Sequence, residues 1–179
     1  MLLDGEGLSI GPDWSPDGRH IVYAKQDPVT FRDLWTIDLA GDRKPRVFLK
    51  TQFMEGGPAF SPDGQWVAYG SSVSGNMDIY IRRFPQGQDV VRVSTDRGTG
   101  PRWIGREIFY VSADSMMVVD VDTHTGPTVG APRPLFPVTL LKRDTHAYAV
   151  TRDGQRFLLN NVHDPPLTVI ANWKARLHR

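Results

Sequence analysis

Two short segments carry residue types whose spacing could support chemistry. Gly7-Leu8-Ser9-Ile10-Gly11 matches the Gly-x-Ser-x-Gly pattern of serine nucleophiles, which requires a strand before the serine and a helix after it. The next five residues, Pro-Asp-Trp-Ser-Pro, cannot start a helix because two prolines interrupt them. We therefore interpret the match as turn sequence and not as a catalytic site.

Asp120, Asp122 and His124 come closest to an acid–base or metal cluster. Two carboxylates on one side of a strand can act as acid and base, and an imidazole beside them could complete a metal site. The segment Asp-Val-Asp-Thr-His-Thr-Gly is typical of a strand end followed by a turn. We interpret the aspartates as solvated outer-face residues, and we expect the same of His163 in its Asp-Pro-Pro loop. The other histidines are His20, His146 and His178, and none has a second ligand at metal spacing.

The remaining composition excludes several classes of site. There is no cysteine, hence no disulfide framework, thiolate zinc site or cysteine nucleophile. Phosphate-cradling loops and kinase catalytic motifs are absent. The net charge is +1, and basic pairs such as Arg43-Lys44, Arg82-Arg83 and Lys142-Arg143 are scattered, so we expect no nucleic-acid binding. The sequence predicts a non-enzyme with no catalytic, cofactor-binding or metal-binding residues and no cofactor.

Length and hydropathy favour one folded domain. The 179 residues, 40% of them hydrophobic, can bury a real core. No apolar run approaches the roughly 18 residues that a membrane span needs. Residues 1–7 lack a basic start and an apolar run, so we expect no export signal there. These features leave the compartment unknown.

A repeat of about 45 residues is the most informative feature of the chain. The segment Trp14–Tyr23, which contains Ser-Pro-Asp-Gly, returns 46 residues later as Phe60–Tyr69. Less well matched copies of the segment follow at Pro101–Tyr110 and Tyr148–Leu158. Repeats of this length indicate that one supersecondary unit is stacked several times.

Each unit is predicted to contain up to four short strands. Proline presets the first turn position and glycine takes positive φ, so Ser-Pro-Asp-Gly is expected to join a strand ending near Trp14 or Phe60 to the next. Asp17, Asp63 and Asp153 recur at these turns, and Asp33 and Asp78 recur at a third strand. Recurrence within one chain favours structural roles for these aspartates.

The predicted fold is an all-β β-propeller of about four blades. A four-stranded unit cannot bury both faces alone, but units stacked around an axis cover each other. We place the blades at about 12–50, 58–94, 101–136 and 146–173, within one domain of residues 1–179. Residues Met1–Ile10 could close a four-bladed ring, or they could be the remnant of a preceding blade in a partial ring. A partial ring would leave one apolar blade flank uncovered, suited to a protein partner or to self-association.

These residues carry a family resemblance. The pattern Trp/Phe-Ser-Pro-Asp-Gly, followed by Asp-Leu-Trp at residue 33 or Asp-Ile-Tyr at residue 78, resembles the WD-repeat-like β-propellers of the bacterial TolB type. Pieces such as Gly100-Pro101-Arg102-Trp103 and Asn172-Trp173 resemble propellers at the C-terminal end of larger bacterial proteins, after a Ser/Thr kinase or a DNA-binding domain. The resemblance implies rings of six or more blades and a periplasmic location.

The leading functional hypothesis is a non-catalytic binding module for a protein or a ligand. Its variable loops would be Lys25–Arg32, Ser71–Met77 and Val138–His146, since loops on a rigid scaffold carry recognition. One alternative is a regulatory C-terminal segment of a bacterial Ser/Thr kinase or of a DNA-binding signalling protein. Another is the non-catalytic propeller part of a prolyl-oligopeptidase-type peptidase.

Overall fold

A computed structural model describes residues 9–85, 87–139, 147–160 and 167–171 of the chain. Regular structure in these ranges consists of sixteen β-strands with no helix. The strands form four sheets in chain order, and all neighbouring strands within a sheet are antiparallel. This arrangement confirms the predicted all-β propeller of about four blades.

The first two blades each have four strands in sequential order. Blade 1 consists of β1 (Ser9–Trp14), β2 (His20–Asp27), β3 (Phe31–Asp38) and β4 (Pro45–Leu49). Blade 2 consists of β5 (Glu55–Phe60), β6 (Trp66–Ser71), β7 (Asp78–Arg83) and β8 (Val90–Arg92).

The other two blades depart from this pattern at their outer edges. Blade 3 consists of β9 (Thr99–Ile104), β10 (Glu107–Ser112), β11 (Ser115–Asp122), β12 (Thr128–Val129) and β13 (Arg133–Pro137), and both β12 and β13 pair with β11. Blade 4 is described as β14 (Tyr148–Val150), β15 (Arg156–Asn160) and β16 (Leu167–Ala171).

Residues Met1–Ile10 were expected either to close the ring or to be the remnant of a preceding blade. Most of this segment falls outside the described residues, which begin at Ser9. Ser9 and Ile10 themselves lie in β1, the innermost strand of blade 1, and pair with Lys25 and Ala24 of β2. These two residues therefore belong to blade 1.

Successive blades are held together by apolar clusters. One cluster joins blades 1 and 2, a second joins blades 2 and 3, and a third joins blades 3 and 4. Their fully buried large side chains include Leu34 in the first, Ile79 and Tyr110 in the second, and Phe109 and Phe157 in the third. Each such side chain contributes about 1.5–3 kcal/mol by leaving water, so contact between blades stabilises the fold.

Trp14 of blade 1 is more exposed than its counterparts in blades 2 and 3. Phe60 and Trp103 occupy equivalent positions on blades 2 and 3, and each packs in the cluster with the preceding blade. Their counterpart Trp14 is 56% exposed, whereas Tyr23 and Ile37 in the same blade are buried. Residues 1–8 and 172–179 lie outside the described residues, so the choice between a closed and a partial ring stays a prediction.

The repeated turn has the same geometry in three blades. In blade 2 the Ser61 hydroxyl donates to Asp63 Oδ1 (2.5 Å), and the same carboxylate accepts the Gln65 N–H (3.0 Å). Gly64 follows with a φ of 69°. The blade 1 turn, with Ser15 and Asp17, and the blade 4 turn, with Thr151 and Asp153, repeat this pattern. The predicted role of Ser-Pro-Asp-Gly as the connection between the first two strands is confirmed.

The innermost strands of three blades share a second repeated feature. Gly11-Pro12, Gly57-Pro58 and Gly100-Pro101 occupy the same position in β1, β5 and β9, and the three glycines have φ between 59° and 61°. A register irregularity lies at or opposite this dipeptide in each strand pair. Glycine is required because side chains rarely take this backbone conformation.

No described helix is both long and apolar enough to cross a membrane.

Candidate binding site

The four innermost strands enclose a pocket of about 290 Å³ on the propeller axis, which we call the axial pocket. All four blades contribute to its wall, because β1, β5, β9 and β14 each lie at the inner edge of their sheets. Its lining residues are Gly11, Pro12, Asp13, Gly57, Pro58, Ala59, Arg102, Tyr148 and Ala149.

One layer of the axial pocket consists of the same position from each blade. Asp13, Ala59 and Arg102 each follow the Gly-Pro dipeptide, and Ala149 lies two residues before its turn threonine, as Ala59 lies two residues before Ser61. In order around the axis the layer is therefore acid, alanine, base, alanine. The small alanines leave room between the two charged side chains.

Asp13 is held by the backbone of the neighbouring blade. Its Oδ2 accepts the N–H of Phe60 at 2.7 Å. Burial raises the pKa of Asp13, while the Phe60 and Trp14 backbone and the Arg102 charge partly offset that rise. The carboxyl is thus fixed in direction, and its raised pKa makes the carboxylate more basic and therefore a stronger hydrogen-bond acceptor.

Arg102 is positioned by its own strand and by blade 4. Its Nη1 donates to the carbonyl of Pro101 (2.9 Å), and its guanidinium carbon lies 5.5 Å from the centre of the Tyr148 ring. The Tyr148 hydroxyl donates to the carbonyls of Gly100 (2.6 Å) and Phe109 (2.9 Å). Burial raises the pKa of Tyr148 further above its usual value. The phenol therefore stays neutral and holds the ring under the cation.

The lining of the axial pocket contains three side chains with polar or charged groups, namely Asp13, Arg102 and Tyr148. Its one phenol already donates to backbone carbonyls, and its one carboxyl is engaged by a backbone amide. What it presents is a fixed acceptor, a fixed cation and walls of proline, alanine and tyrosine.

The sequence-predicted candidates lie away from the axial pocket. Ser9 is in β1, and Gly7 lies outside the described residues. Asp122 pairs with Arg106, and its Oδ1 accepts the His124 N–H (3.0 Å), while Asp120 pairs with Arg133 (3.1 Å). Within the described ranges no group of three His, Cys, Asp or Glu side chains could hold a metal ion.

Several other sequence candidates fall on residues that the structure does not describe. They are His146, His163, His178 and the Lys142-Arg143 pair. His20 lies at the start of β2, and its ring packs edge-on against Phe84 with centroids 5.1 Å apart. Its place is in the packing between blades 1 and 2.

Asp33 and Asp78 anchor the loops at the other end of the blades from the repeated turns. Both are 1% exposed. Asp33 accepts the Thr30 hydroxyl (3.0 Å) and lies 3.3 Å from the Lys50 ammonium. Asp78 accepts the hydroxyls of Ser74 and Ser94 and pairs with Arg92 at 2.9 Å. Burial alone would raise the pKa of Asp78, but these donors hold it below its usual value.

Glu55 is a buried acid that the sequence did not reveal. It is 1% exposed at the start of β5, and its Oε1 accepts the Thr51 hydroxyl (2.6 Å) and the Ser71 hydroxyl (3.4 Å). Its Oε2 has no hydrogen-bond partner among the described residues. Burial raises the pKa of Glu55 to about 7, and the nearby Asp33 charge adds to the rise.

Asp13 and Arg102 were also missed as site residues. Each looks unremarkable within its own segment, and only the recurring Gly-Pro dipeptide reveals that they occupy equivalent positions. The dipeptide spacings of 46 and 43 residues were the available signal.

Curated proteins with similar sequences match part of this chain. The uncharacterized protein Atu1656 of Agrobacterium fabrum is 32% identical over 107 residues, which cover 57% of this chain and 35% of that protein. The dihydro-heme d1 dehydrogenase of Pseudomonas aeruginosa is 35% identical over 77 residues, or 42% of this chain and 14% of the enzyme. The matched segments thus span about a third or less of these relatives. No protein-family model matches the chain.

Solved structures match nearly the whole chain. TolB from Acinetobacter baumannii superposes with a TM-score of 0.73 at 19% identity, over 96% of this chain and 42% of that one. An oligogalacturonate lyase in complex with manganese superposes with a TM-score of 0.68 at 18% identity, over 97% of this chain and 53% of the lyase. The chain has the fold of a TolB-type β-propeller over four blades. Neither comparison bears on a kinase or DNA-binding neighbour, so that context stays a prediction.

Proposed function

We propose that this propeller is a non-catalytic binding module that holds a segment of a partner protein in the axial pocket. The proposal is carried by one observation. The pocket places a fixed acid, Asp13, and a fixed base, Arg102, on alternate blades around the axis, with an alanine between them on either side.

An extended peptide has the chemistry to fill this pocket. Its backbone carries N–H donors for Asp13 and carbonyl acceptors for Arg102, and its side chains can rest on Pro12, Pro58 and Tyr148. A space of about 290 Å³ lies at the small end of ligand sites and would take only a short stretch of chain. A protein segment is favoured over a small apolar ligand because both charged groups point to a polar ligand.

The absence of catalysis is part of the proposal. Acid–base chemistry needs a group whose proton can move near neutral pH and which is not already tied to the fold. The Asp13 carboxyl accepts a backbone N–H, and the Tyr148 hydroxyl donates to two carbonyls. Neither is poised to transfer a proton to a bound substrate.

A displayed library of random hexapeptides, selected on the purified chain, tests the proposal. Enriched peptides should bind at least tenfold more weakly to Ala149→Leu, which fills the pocket, and to Arg102→Ala, which removes the cation. The control is Val90→Leu, an exposed position on the outer strand β8, which should bind like the wild type. Melting temperatures verify that all three variants fold.

Two results would overturn the proposal. One is that no peptide is enriched, or that enriched peptides bind the filled variant as well as the wild type. The other is turnover of ester or peptide substrates by the purified chain, which would refute the non-catalytic assignment.

A further inference from the structure

Two buried polar atoms between blades 1 and 2 lack a hydrogen-bond partner. They are Thr36 Oγ1 on β3 and Arg82 Nε on β7, and no group in the described ranges bonds either of them. Buried hydroxyl and N–H groups are nearly always hydrogen-bonded in proteins, because an unpaired one is unfavourable. Two such atoms on neighbouring blades therefore direct attention to a group that would satisfy both.

Both side chains lie on the faces at which the two blades meet. Thr36 follows Leu34 by two residues and so shares the face of β3 that packs in the cluster between blades 1 and 2. Arg82 lies midway between Tyr80 and Phe84, which pack against the same cluster from blade 2. The hydroxyl and the guanidinium thus belong to opposite walls of one interface.

The strand registers place the two side chains at the same level of this interface. Directly paired residues form one row across each blade. The row of blade 1 consists of Asp13, Val22, Thr36 and Arg46, and that of blade 2 consists of Phe60, Val67, Arg82 and Val90. At their inner ends the rows are joined, because Asp13 Oδ2 accepts the Phe60 N–H at 2.7 Å. Thr36 and Arg82 are the third members of these joined rows, and we call the space between them the interblade notch.

Aromatic rings pack below and above this level. The Phe84 ring lies 5.1 Å from the ring of His20 and 5.7 Å from that of Phe48, which closes the contact toward the repeated turns. On the other side, the rings of Tyr69 and Tyr80 are stacked with centroids 6.0 Å apart. These contacts fix the two walls, so the notch is a preformed feature of the interface.

No acid in the described part of the chain pairs with Arg82. The ion pairs of described arginines join Arg46, Arg92, Arg106 and Arg133 to aspartates. An ionisable group that does feel the Arg82 charge is the Tyr69 phenol. Burial raises the pKa of Tyr69 to about 12, and Arg82 opposes only part of that rise. The phenol therefore stays neutral and does not balance the guanidinium charge.

A second cation stands at the mouth of the interblade notch. Arg46 is the direct partner of Thr36 in β4 and so shares its face. Its side chain is 57% exposed, and its Nη2 donates to Asp42 Oδ2 at 2.8 Å. Within the described ranges, that bond leaves the Nε and Nη1 donors of Arg46 for a ligand.

We propose that the interblade notch binds a free tetrahedral oxyanion, phosphate or sulfate, through the Arg82 guanidinium and the Thr36 hydroxyl, with Arg46 at its mouth. A guanidinium presents parallel N–H donors that match the oxygens of such an ion. A water molecule would satisfy the two orphan atoms but leave the charge unbalanced, whereas an anion does both. Because Arg82 Nε is buried between two blades, a small free ion fits better than a group carried on a protein. The site is separate from the axial pocket, since Thr36, Arg46 and Arg82 do not line that pocket.

Calorimetric titration of the purified chain with inorganic phosphate, at constant ionic strength in chloride, tests the proposal. One site should appear with a dissociation constant of about 1 mM or tighter, and sulfate should compete for it. Arg82→Gln should weaken phosphate binding at least tenfold. The matched control is Arg83→Gln, because Arg83 is the next residue but lies over the Trp66 ring, 5.7 Å from its centre, on the opposite face. The control should bind phosphate within twofold of the wild type.

Thr36→Val provides a second readout that does not depend on removing a charge. Valine keeps the branched shape but lacks the hydroxyl, so in phosphate-free buffer the melting temperature should equal or exceed that of the wild type. Added phosphate should raise the melting temperature of the wild type more than that of the variant, because the variant binds the ion more weakly. A clear fall in melting temperature without phosphate would show that the hydroxyl serves the fold, which would contradict the proposal.

The titrations have further outcomes that would overturn the proposal. One is the absence of a binding isotherm for phosphate and sulfate. Others are stabilisation by chloride that equals stabilisation by phosphate, and equal weakening by the substitutions at Arg82 and Arg83. Tighter binding of a phosphoserine peptide than of inorganic phosphate would assign the site to a protein-borne group and not to a free ion.

Discussion

The two ends of the propeller differ in how closely their connections repeat from blade to blade. At the end of the repeated turns, three blades use the same bonds, with a hydroxyl-to-carboxylate distance of 2.5 Å in blades 1, 2 and 4. At the other end, the loop of blade 1 places Phe31 at positive φ, whereas the loop of blade 2 gives that conformation to Gly75. The turns at the first end therefore share one hydrogen-bond pattern, whereas the loops at the second end differ in the residue that takes a positive φ.

The difference separates contacts that repeat between blades from positions that do not. Both loops at the variable end keep a buried anchor, Asp33 or Asp78, which binds a loop hydroxyl and a cation from the outer part of the blade. Only the tips beyond these anchors differ. The recurring contacts are therefore those of the blade fold, whereas the loop tips differ between the two blades.

The largest expected effect is at the loop anchors. Asp78→Ala should lower the free energy of unfolding by about 3–5 kcal/mol, because it removes hydrogen bonds from Ser74, Ser94 and Arg92 to one charged acceptor, each worth about 1.5–3 kcal/mol. Urea denaturation measures the loss. Asp33→Ala should cost a similar amount, and a loss below about 1 kcal/mol at either position would show that the two loops are not anchored alike.

A smaller effect on the free energy of unfolding is expected from Glu55, the buried acid at the start of β5. Its pKa of about 7 exceeds the usual 4.5, so the folded state keeps a proton that the unfolded state releases. Its contribution is thus lost as pH rises from about 4.5 to 7, by about 3 kcal/mol in total. In Glu55→Gln that loss should disappear.

Urea denaturation of both proteins at pH 5 and pH 8 measures this dependence. The difference in unfolding free energy between the variant and the wild type should shift in favour of the variant at pH 8. Equal pH dependence in the two proteins would mean that Glu55 titrates normally.

The smallest effects are expected at the repeated turns. Asp17→Ala and Asp63→Ala should each lower the melting temperature slightly and by the same amount, because each carboxylate accepts one hydroxyl and one backbone N–H near the surface. Unequal losses in thermal unfolding would contradict the equivalence of the turns.

The sequence predicted the repeated elements well, because they depend on local chemistry. The Ser-Pro-Asp-Gly turn and the four sheets follow from proline, glycine and strand patterns that act over a few residues. The axial pocket was missed because Asp13 and Arg102 are 89 residues apart and meet only when the blades assemble. Phe31 lies within the predicted loop Lys25–Arg32, but its conformation was missed, because nothing in the local sequence reveals that an aromatic residue holds a positive φ.

The Gly-Pro dipeptides of the innermost strands also bear on how the centre of the molecule stays open. These innermost strands are edge strands that face one another, and edge strands with unpaired backbone groups tend to hydrogen-bond to each other. Proline offers no N–H, and the bend at the preceding glycine turns the edge aside. The axial pocket is therefore a consequence of the backbone. Shortening the side chains that line it should enlarge the pocket without allowing the innermost strands to pair with one another.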